Sequence, residues 1–278
     1  MTLRIISYGG GVQSTAMVVM AALRHPAFEE AMGGQVDAAL FGNVGDDSEH
    51  PATLKYVREV AIPWATEQGL PVHELKRQRR DGTEETLWER LHRAERSIGI
   101  PVRMSNGAPG NRQCTHDFKI AVVLRWLREH GVTKDDPAVV AIGISTDEME
   151  RASNKRPHPI ELPVYPLLSA GVMMNRNHCL SMIRSAGLPE PGKSSCYFCP
   201  FHRPQVWSEM RRDEPELFWK SVELEQMINK KRDTLGKDHV WLTRFNKPLD
   251  EAIGEAQDQL PGFESIGETG CDEGYCFT

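Results

Sequence analysis

Apolar positions along the first 170 residues gather in short runs, and amphipathic stretches lie between them. Leu3 to Ser7, Val36 to Phe41, Pro71 to Leu75 and Val139 to Ile144 are too short for buried helices and read as strands covered on both faces. Pro163 to Leu167 adds a last short strand. Helical spacing fills the intervals over Gln13 to Arg24, Pro51 to Gln68, Glu84 to Ala94 and Phe118 to Glu129, with a Gly/Pro/Asn-rich loop at Gly99 to Arg112. This alternation predicts an α/β fold, a doubly wound, Rossmann-like parallel sheet of about five strands with helices on both faces. Ligands of such sheets sit beyond the carboxyl ends of the strands.

From about residue 170 the pattern turns to helices and loops. Asn175 to Ala186 is a helix closed by Gly187 and Pro189, and Glu214 to Leu235 is a longer one with Pro215 in its first turn. The expected division is therefore an α/β domain over residues 1–170 and a helical, cysteine-bearing region over residues 171–278. Trp207, Trp219 and Trp241 stand at apolar positions expected to form the core of that second region.

A composition of 40% hydrophobic and 26% charged residues excludes a disordered, collagen-like or coiled-coil chain. The longest apolar run, Ala16 to Leu23, falls far short of the roughly 20 residues a membrane span needs, so no membrane partner is expected. The start runs straight into a strand without a charged leader, so the expected compartment is the reducing cytoplasm. A net charge of −6 speaks against a general nucleic-acid coat. The charge is unevenly spread. Residues 248–278 hold eight acidic and no basic side chains, while Lys76 to Glu129 holds twelve Lys/Arg against seven Asp/Glu. The two stretches either face each other across one cleft or are unrelated solvated surfaces. Lys76-Arg77-Gln78-Arg79-Arg80, at the end of the third strand, either receives phosphates or is a solvated loop.

Ser7-Tyr8-Gly9-Gly10-Gly11-Val12-Gln13-Ser14-Thr15 joins the first strand to the first helix. Consecutive glycines let backbone N–H groups approach an anion, the helix N-terminus adds partial positive charge, and Ser7, Ser14 and Thr15 add hydroxyls. The loop does not end in Gly-Lys-Ser/Thr, and its glycines lack the spacing of the dinucleotide fingerprint. The plain alternative is a tight strand-to-helix turn. The loop resembles the Ser-x-Gly-Gly-x-x-Ser pyrophosphate loop of the adenine nucleotide α-hydrolases, a superfamily of ATP pyrophosphatases and phosphoadenosine phosphosulfate (PAPS) reductases. Gln13 stands where many members carry Asp. Phe41-Gly42-Asn43-Val44-Gly45 is similar to their strand-end Asp-Thr-Gly, with Asn43 in place of Asp. Ile142-Gly143-Ile144-Ser145 with Asp147, Glu148 and Arg151 is similar to their Gly-Ile-Arg-x-x-Glu-x-x-Arg segment. The resemblance spans roughly residues 3 to 205. It implies a HUP-like sheet, a common tendency to dimerise, and a nucleotide held by Ser7, Gly9, Gly10, Gly11, Gln13, Ser14, Thr15, Asn43 and Gly143. Arg103, Arg112, Lys119 and Arg151 flank the matched segments and are candidates for the anion; Lys119 and Arg151 are expected to act on it.

Six cysteines are too few for a disulfide scaffold. Cys196-Tyr197-Phe198-Cys199-Pro200 is a C-x-x-C followed by proline, a spacing suited to one metal ion or cluster, with a redox dithiol or two buried thiols as the alternatives. Cys114 precedes it by 82 positions, 196 minus 114. Iron–sulfur reductases of the superfamily have a Cys-Cys pair about that far ahead of a C-x-x-C, holding a 4Fe–4S cluster; here Thr115 replaces the second Cys. The resemblance thus implies Cys114, Cys196 and Cys199 as ligands, with Cys179 or a tail cysteine as the fourth, or an iron left open as in tRNA-thiolation enzymes. Zinc, with His202 as one further candidate ligand, is the competing metal. Cys179 starts a helix, where the dipole favours thiolate, although a buried thiol is the commoner fate. Cys271 and Cys276 lie in the acidic tail, and Cys276 stands where the reductases carry a nucleophilic cysteine.

The expected function is an enzyme that binds ATP with Mg²⁺, adenylates an acceptor with release of pyrophosphate, and supports iron–sulfur-dependent sulfur transfer to a nucleic acid or small metabolite. Its sulfur donor would be of the cysteine-desulfurase kind. The alternatives are a PAPS/APS reductase with Cys276 as nucleophile, or a non-catalytic nucleotide- or metal-binding subunit.

Overall fold

A computed structural model describes residues 2–93, 98–152 and 158–254. β1 (Arg4–Tyr8) leads into α1 (Val12–Ala22) and α2 (Pro26–Met32), then β2 (Ala38–Asn43). A long helical stretch follows: α3 (Pro51–Tyr56), a π-turn (Val57–Ala61) and α4 (Ile62–Glu67). Pro63 explains the interruption, because its ring and missing N–H disrupt the regular ladder one turn back, and the wider turn absorbs the misfit. β3 (Val72–Lys76) and α5 (Leu87–Arg93) come next. The short α6 (Gln113–Thr115), a second π-turn (His116–Ile120) and α7 (Ala121–Glu129) then precede β4 (Ala138–Ala141). A 3₁₀ turn (Thr146–Ala152), β5 (Glu161–Val164) and α8 (Arg176–Ser185) complete the layered part, and α9 (Pro204–Asp213), α10 (Pro215–Thr234) and α11 (Leu249–Ala252) follow.

All five strands run parallel in the order β3-β2-β1-β4-β5, the expected α/β architecture and one compatible with a Rossmann-like fold. Strand periodicity sorts the side chains. Ile6, Tyr8, Ala39, Phe41 and Ala141 join α1, α3, α4 and α8 in one core, whereas Ile5, Ala38, Leu40 and Val140 join α7 in another. β1 and β2 are buried almost throughout, as central strands with helices on both sides must be. Pro163, which has no N–H to give, sits in the edge strand β5. A third core gathers α9 to α11 with Leu87, Leu91, Ile100, Val102, Phe118, Tyr197 and Phe198. Helix α8, beyond the expected boundary at 170, packs Cys179 and Ile183 into the same core as α1. Trp207 is fully buried, but Trp219, expected in the core, is 46% exposed, because it lies on the outer side of α10. No described helix is long and apolar enough to cross a membrane.

Candidate functional site: an anion cleft beside three thiols

The turn between β1 and α1 is tied by its own side chains. Ser14 Oγ accepts the N–H of Gly9 (3.2 Å) and donates to the carbonyl of Gly11 (3.1 Å), and the Thr15 N–H makes the first helical bond to Gly11 (2.9 Å). Gly10 has φ +74°, and a Cβ there would stand 3.1 Å from Thr53 and Val57, so only glycine fits the bend. Gly11 caps α1 with no side-chain bond, and no acidic residue occupies the first turn. The helix's first N–H groups therefore remain available for an anion.

A cleft of about 160 Å³ opens above this turn at the carboxyl end of the sheet. Ser7, Gly9, Gly11, Gln13 and Ser14 form its floor, and Gly143 its β4 side. A Cβ on Gly143 would stand 3.2 Å from the Ser14 nitrogen, so the missing side chain lets the start of α1 close on the loop after β4. Four cations reach the cleft: Lys119 from the second π-turn, Arg151 from the 3₁₀ turn, Arg176 from the first residue of α8, and Lys193 from the segment ahead of the C-x-x-C. Among the described lining residues Glu148 is the one carboxylate, and Arg151 engages it at 2.5 Å. Such an excess of positive charge, half-enclosed over a helix N-terminus, is suited to a polyanion.

Three expected contacts lie elsewhere. Thr15 is buried, with its hydroxyl 3.4 Å from the Tyr8 hydroxyl and off the cleft. Gly10 likewise faces α3 and the first π-turn rather than the opening. Asn43 is buried, and its amide is taken up locally. Nδ2 donates to Asp46 Oδ1 (2.8 Å) and Glu74 Oε1 (2.6 Å), while Oδ1 accepts the Gly45 N–H (2.8 Å). Arg58 closes the same network, and its guanidinium holds Asp46 down at about 2.

The segment 189–197 links the cleft to the cysteines. Ser194 Oγ donates to the Gly9 carbonyl, His50 donates its N–H to Ser195 (3.1 Å), and Glu49 bridges Cys196 along the backbone. Cys196 and Cys199 are joined by a 3.2 Å N–H to carbonyl bond, and His202 Nε2 donates to the Cys196 carbonyl at 2.9 Å, closing the turn. Cys114 is held by its N–H to Gly99 (2.7 Å). Cys114 and Cys196 pack against the C-terminal core. Burial pushes the Cys196 thiol well up, and the Glu49 carboxylate adds to it; Lys119 opposes, and Cys199 and Cys114 lie near enough to contribute. Lys119 is thus shared. It lines the cleft, its charge is felt by Cys114 and Cys196, and Glu49 Oε2 lies 3.9 Å from its Nζ.

Cys179 stands apart. It is fully buried in the α1–α8 core, and burial pushes its thiol up to about 12, outweighing the helix N-terminus. The structure does not bring it to the other three. Among the described residues no group of three or more His, Cys, Asp or Glu side chains is arranged to hold a metal ion. By themselves, Cys114, Cys196 and Cys199 as placed do not make up such a group. Cys271 and Cys276 lie outside the described residues. The basic run after β3 is largely committed to ion pairs: Lys76 with Asp46 and Glu84, and Arg77 and Arg79 with the buried Glu85, which Arg90 and Arg93 also clasp.

Sequence reading overlooked Arg176, Gly192, Lys193 and Ser194. The one signal for them was a Lys-Ser pair standing just ahead of the C-x-x-C. Fold and site together define an α/β protein with a cleft lined by four cationic side chains at the carboxyl edge of a parallel sheet. No protein-family model, no curated protein and no solved structure matches the chain.

Proposed function

We propose that the chain is an enzyme that binds ATP at the glycine turn, adenylates an acceptor with release of pyrophosphate, and serves sulfur transfer to that acceptor. The observation that carries this reading is the convergence of Lys119, Arg151, Arg176 and Lys193 on the bare N-terminus of α1, with Cys114 and Cys196 near Lys119 and Cys199 beside Cys196. The backbone N–H groups at Gly11 to Gln13 and the four cations would take the β- and γ-phosphates. Their charge would stabilise the pyrophosphate as it leaves. Mg²⁺ would enter with the nucleotide. The thiols lie where an adenylated acceptor could meet sulfur. A PAPS reductase would use the same cations, but its nucleophile, Cys276, lies outside the described residues.

The test is product analysis. Incubation with Mg²⁺-ATP and candidate acceptors should give pyrophosphate and an adenylated acceptor, from which added sulfide displaces AMP, and Lys193→Ala should weaken ATP binding about tenfold or more, the worth of one charge-assisted contact. ADP and phosphate as products, or release of sulfite from PAPS with no ATP turnover, would sink the proposal. Iron, zinc and sulfide analysis of anaerobically purified protein decides the cluster separately.

A further inference from the structure

The cleft holds one side chain that an anion site does not call for. Lys119, Arg176 and Lys193 bring positive charge to it, but Arg151 meets a carboxylate, Glu148, on the same wall. Arg103 and Arg112, expected at the anion, flank the Phe201 ring instead. Glu148 is buried, with 8% of its surface exposed, and stands where the 3₁₀ turn leaves helical geometry, at φ −130° and ψ 25°. Its N–H donates to the Ser145 carbonyl at 2.9 Å, which ties it to the loop after β4. Arg151 Nη1 donates to Glu148 Oε2 at 2.5 Å. A guanidinium that forks onto a carboxylate satisfies two donors at once. Here one donor is spent, and Arg151 Nε is buried with no hydrogen-bond partner.

A buried carboxylate repels a polyphosphate bound beside it unless a cation lies between them. Mg²⁺ suits that place. It takes hard oxygen ligands, keeps several waters, and is held by one or two carboxylates together with substrate phosphates. The donors on the page fit. The first turn of α1 offers no acid, Glu148 is the one carboxylate among the described lining residues, and Ser7 and Gln13 add hydroxyl and amide oxygens to the same cleft.

We propose that Glu148 sets the choice between ligands: it admits a polyphosphate as its Mg²⁺ complex and disfavours the same polyphosphate bare. On binding, Arg151 turns from Glu148 to the phosphates, where its unspent donors are used, and the carboxylate faces the cation directly or across a water. This deepens the nucleotide reading above and rests on it. It adds that the ligand is a chelating polyphosphate rather than a phosphosulfate, whose singly charged sulfate end holds Mg²⁺ weakly.

The experiment is calorimetric titration of the full chain with ATP, in Mg²⁺ and in EDTA. The native chain should bind Mg²⁺-ATP about tenfold or more tightly than bare ATP. Glu148→Gln keeps an acceptor for Arg151 and loses the charge. It should bind bare ATP about tenfold more tightly than the native chain and Mg²⁺-ATP about tenfold more weakly. Paramagnetic resonance with Mn²⁺ in place of Mg²⁺ reads the cation itself; by linkage, the ATP-bound variant should hold it about a hundredfold more weakly. Were Glu148 only a prop for Arg151, both forms of ATP would weaken by one factor. That result would overturn the proposal, as would a native chain indifferent to Mg²⁺. Glu148→Asp, which keeps the charge on a shorter stem, should still prefer Mg²⁺-ATP but hold Mn²⁺ more weakly than the native chain. It decides the matter if the Gln variant fails to fold, and native Mn²⁺ affinity would then count against Glu148. No binding of ATP in either form would remove the nucleotide reading and this inference together. ATP bound with unaltered cation dependence in Glu148→Gln would remove this inference alone.

Discussion

Asn43 shows how one atom can decide a position. Its Nδ2 donates to both Asp46 and Glu74, so an acid there would be a third carboxylate among two and would lose both bonds. Asn43→Asp should therefore destabilise the fold by about 2–4 kcal/mol near neutral pH. In urea unfolding the loss should shrink at pH 5, as the introduced carboxyl, crowded by the two ionised ones that Arg58 holds down, takes up a proton. A variant as stable as the native chain would mean that Arg58 alone holds the loop. The resemblance motif marks Asn43 as special, but not why: its partner Glu74 is 31 residues away, and only the β2–β3 pairing brings them together. Cys179 makes the converse point. Its place at a helix start was legible, but its solvation depended on the packing of α8 against α1, and burial overrode the dipole.

At the scale of elements, two joints invite tests. The start of α1 closes on β4's loop only because Gly143 has no Cβ. Since the neighbour is backbone nitrogen, Gly143→Ala must push the helix away. The expected cost is about 1–3 kcal/mol together with weaker ATP binding, read by calorimetric titration; native affinity would remove the joint from the site. In α10, the buried Glu225 accepts the N–H groups of Leu242 (2.6 Å) and Leu249 (2.8 Å) and so fastens the 240–249 loop. Burial pushes its carboxyl up to about 7, against those two donors. A raised carboxyl binds its proton more tightly folded than unfolded. Its contribution is therefore full below the ordinary carboxylate range and is lost as pH rises through about 7. Stability should fall by on the order of 3 kcal/mol between pH 4.5 and 8. Glu225→Gln should flatten that slope, at the cost of one of the two bonds. Denaturant midpoints across this range check it, and an unchanged slope in the variant would refute it.

For the whole molecule, occupancy of the cleft should register as stability, because its walls come from β1, α1, the second π-turn, the 3₁₀ turn and α8 together. A ligand at a hundredfold excess over its Kd adds about 2.7 kcal/mol, so Mg²⁺-ATP should raise the melting temperature by about 5 °C. Lys193→Ala should lose most of the shift, and adenosine alone should produce little; equal shifts from both would place the affinity outside the phosphate cleft. The sequence by itself determined the alternation of strand and helix, the five parallel strands and the glycine turn at the end of β1. These depend on residue spacing within a few positions, and local backbone geometry reads such spacing directly. Only the tertiary structure decided which charges share the cleft, that Lys193 arrives from beyond the sheet, that the basic run after β3 is consumed by Glu85, Glu89 and their neighbours, and that Cys179 is walled off from the other thiols. Each of those outcomes turns on burial and on partners brought together from distant parts of the chain, and desolvation and pairing have no period along a sequence.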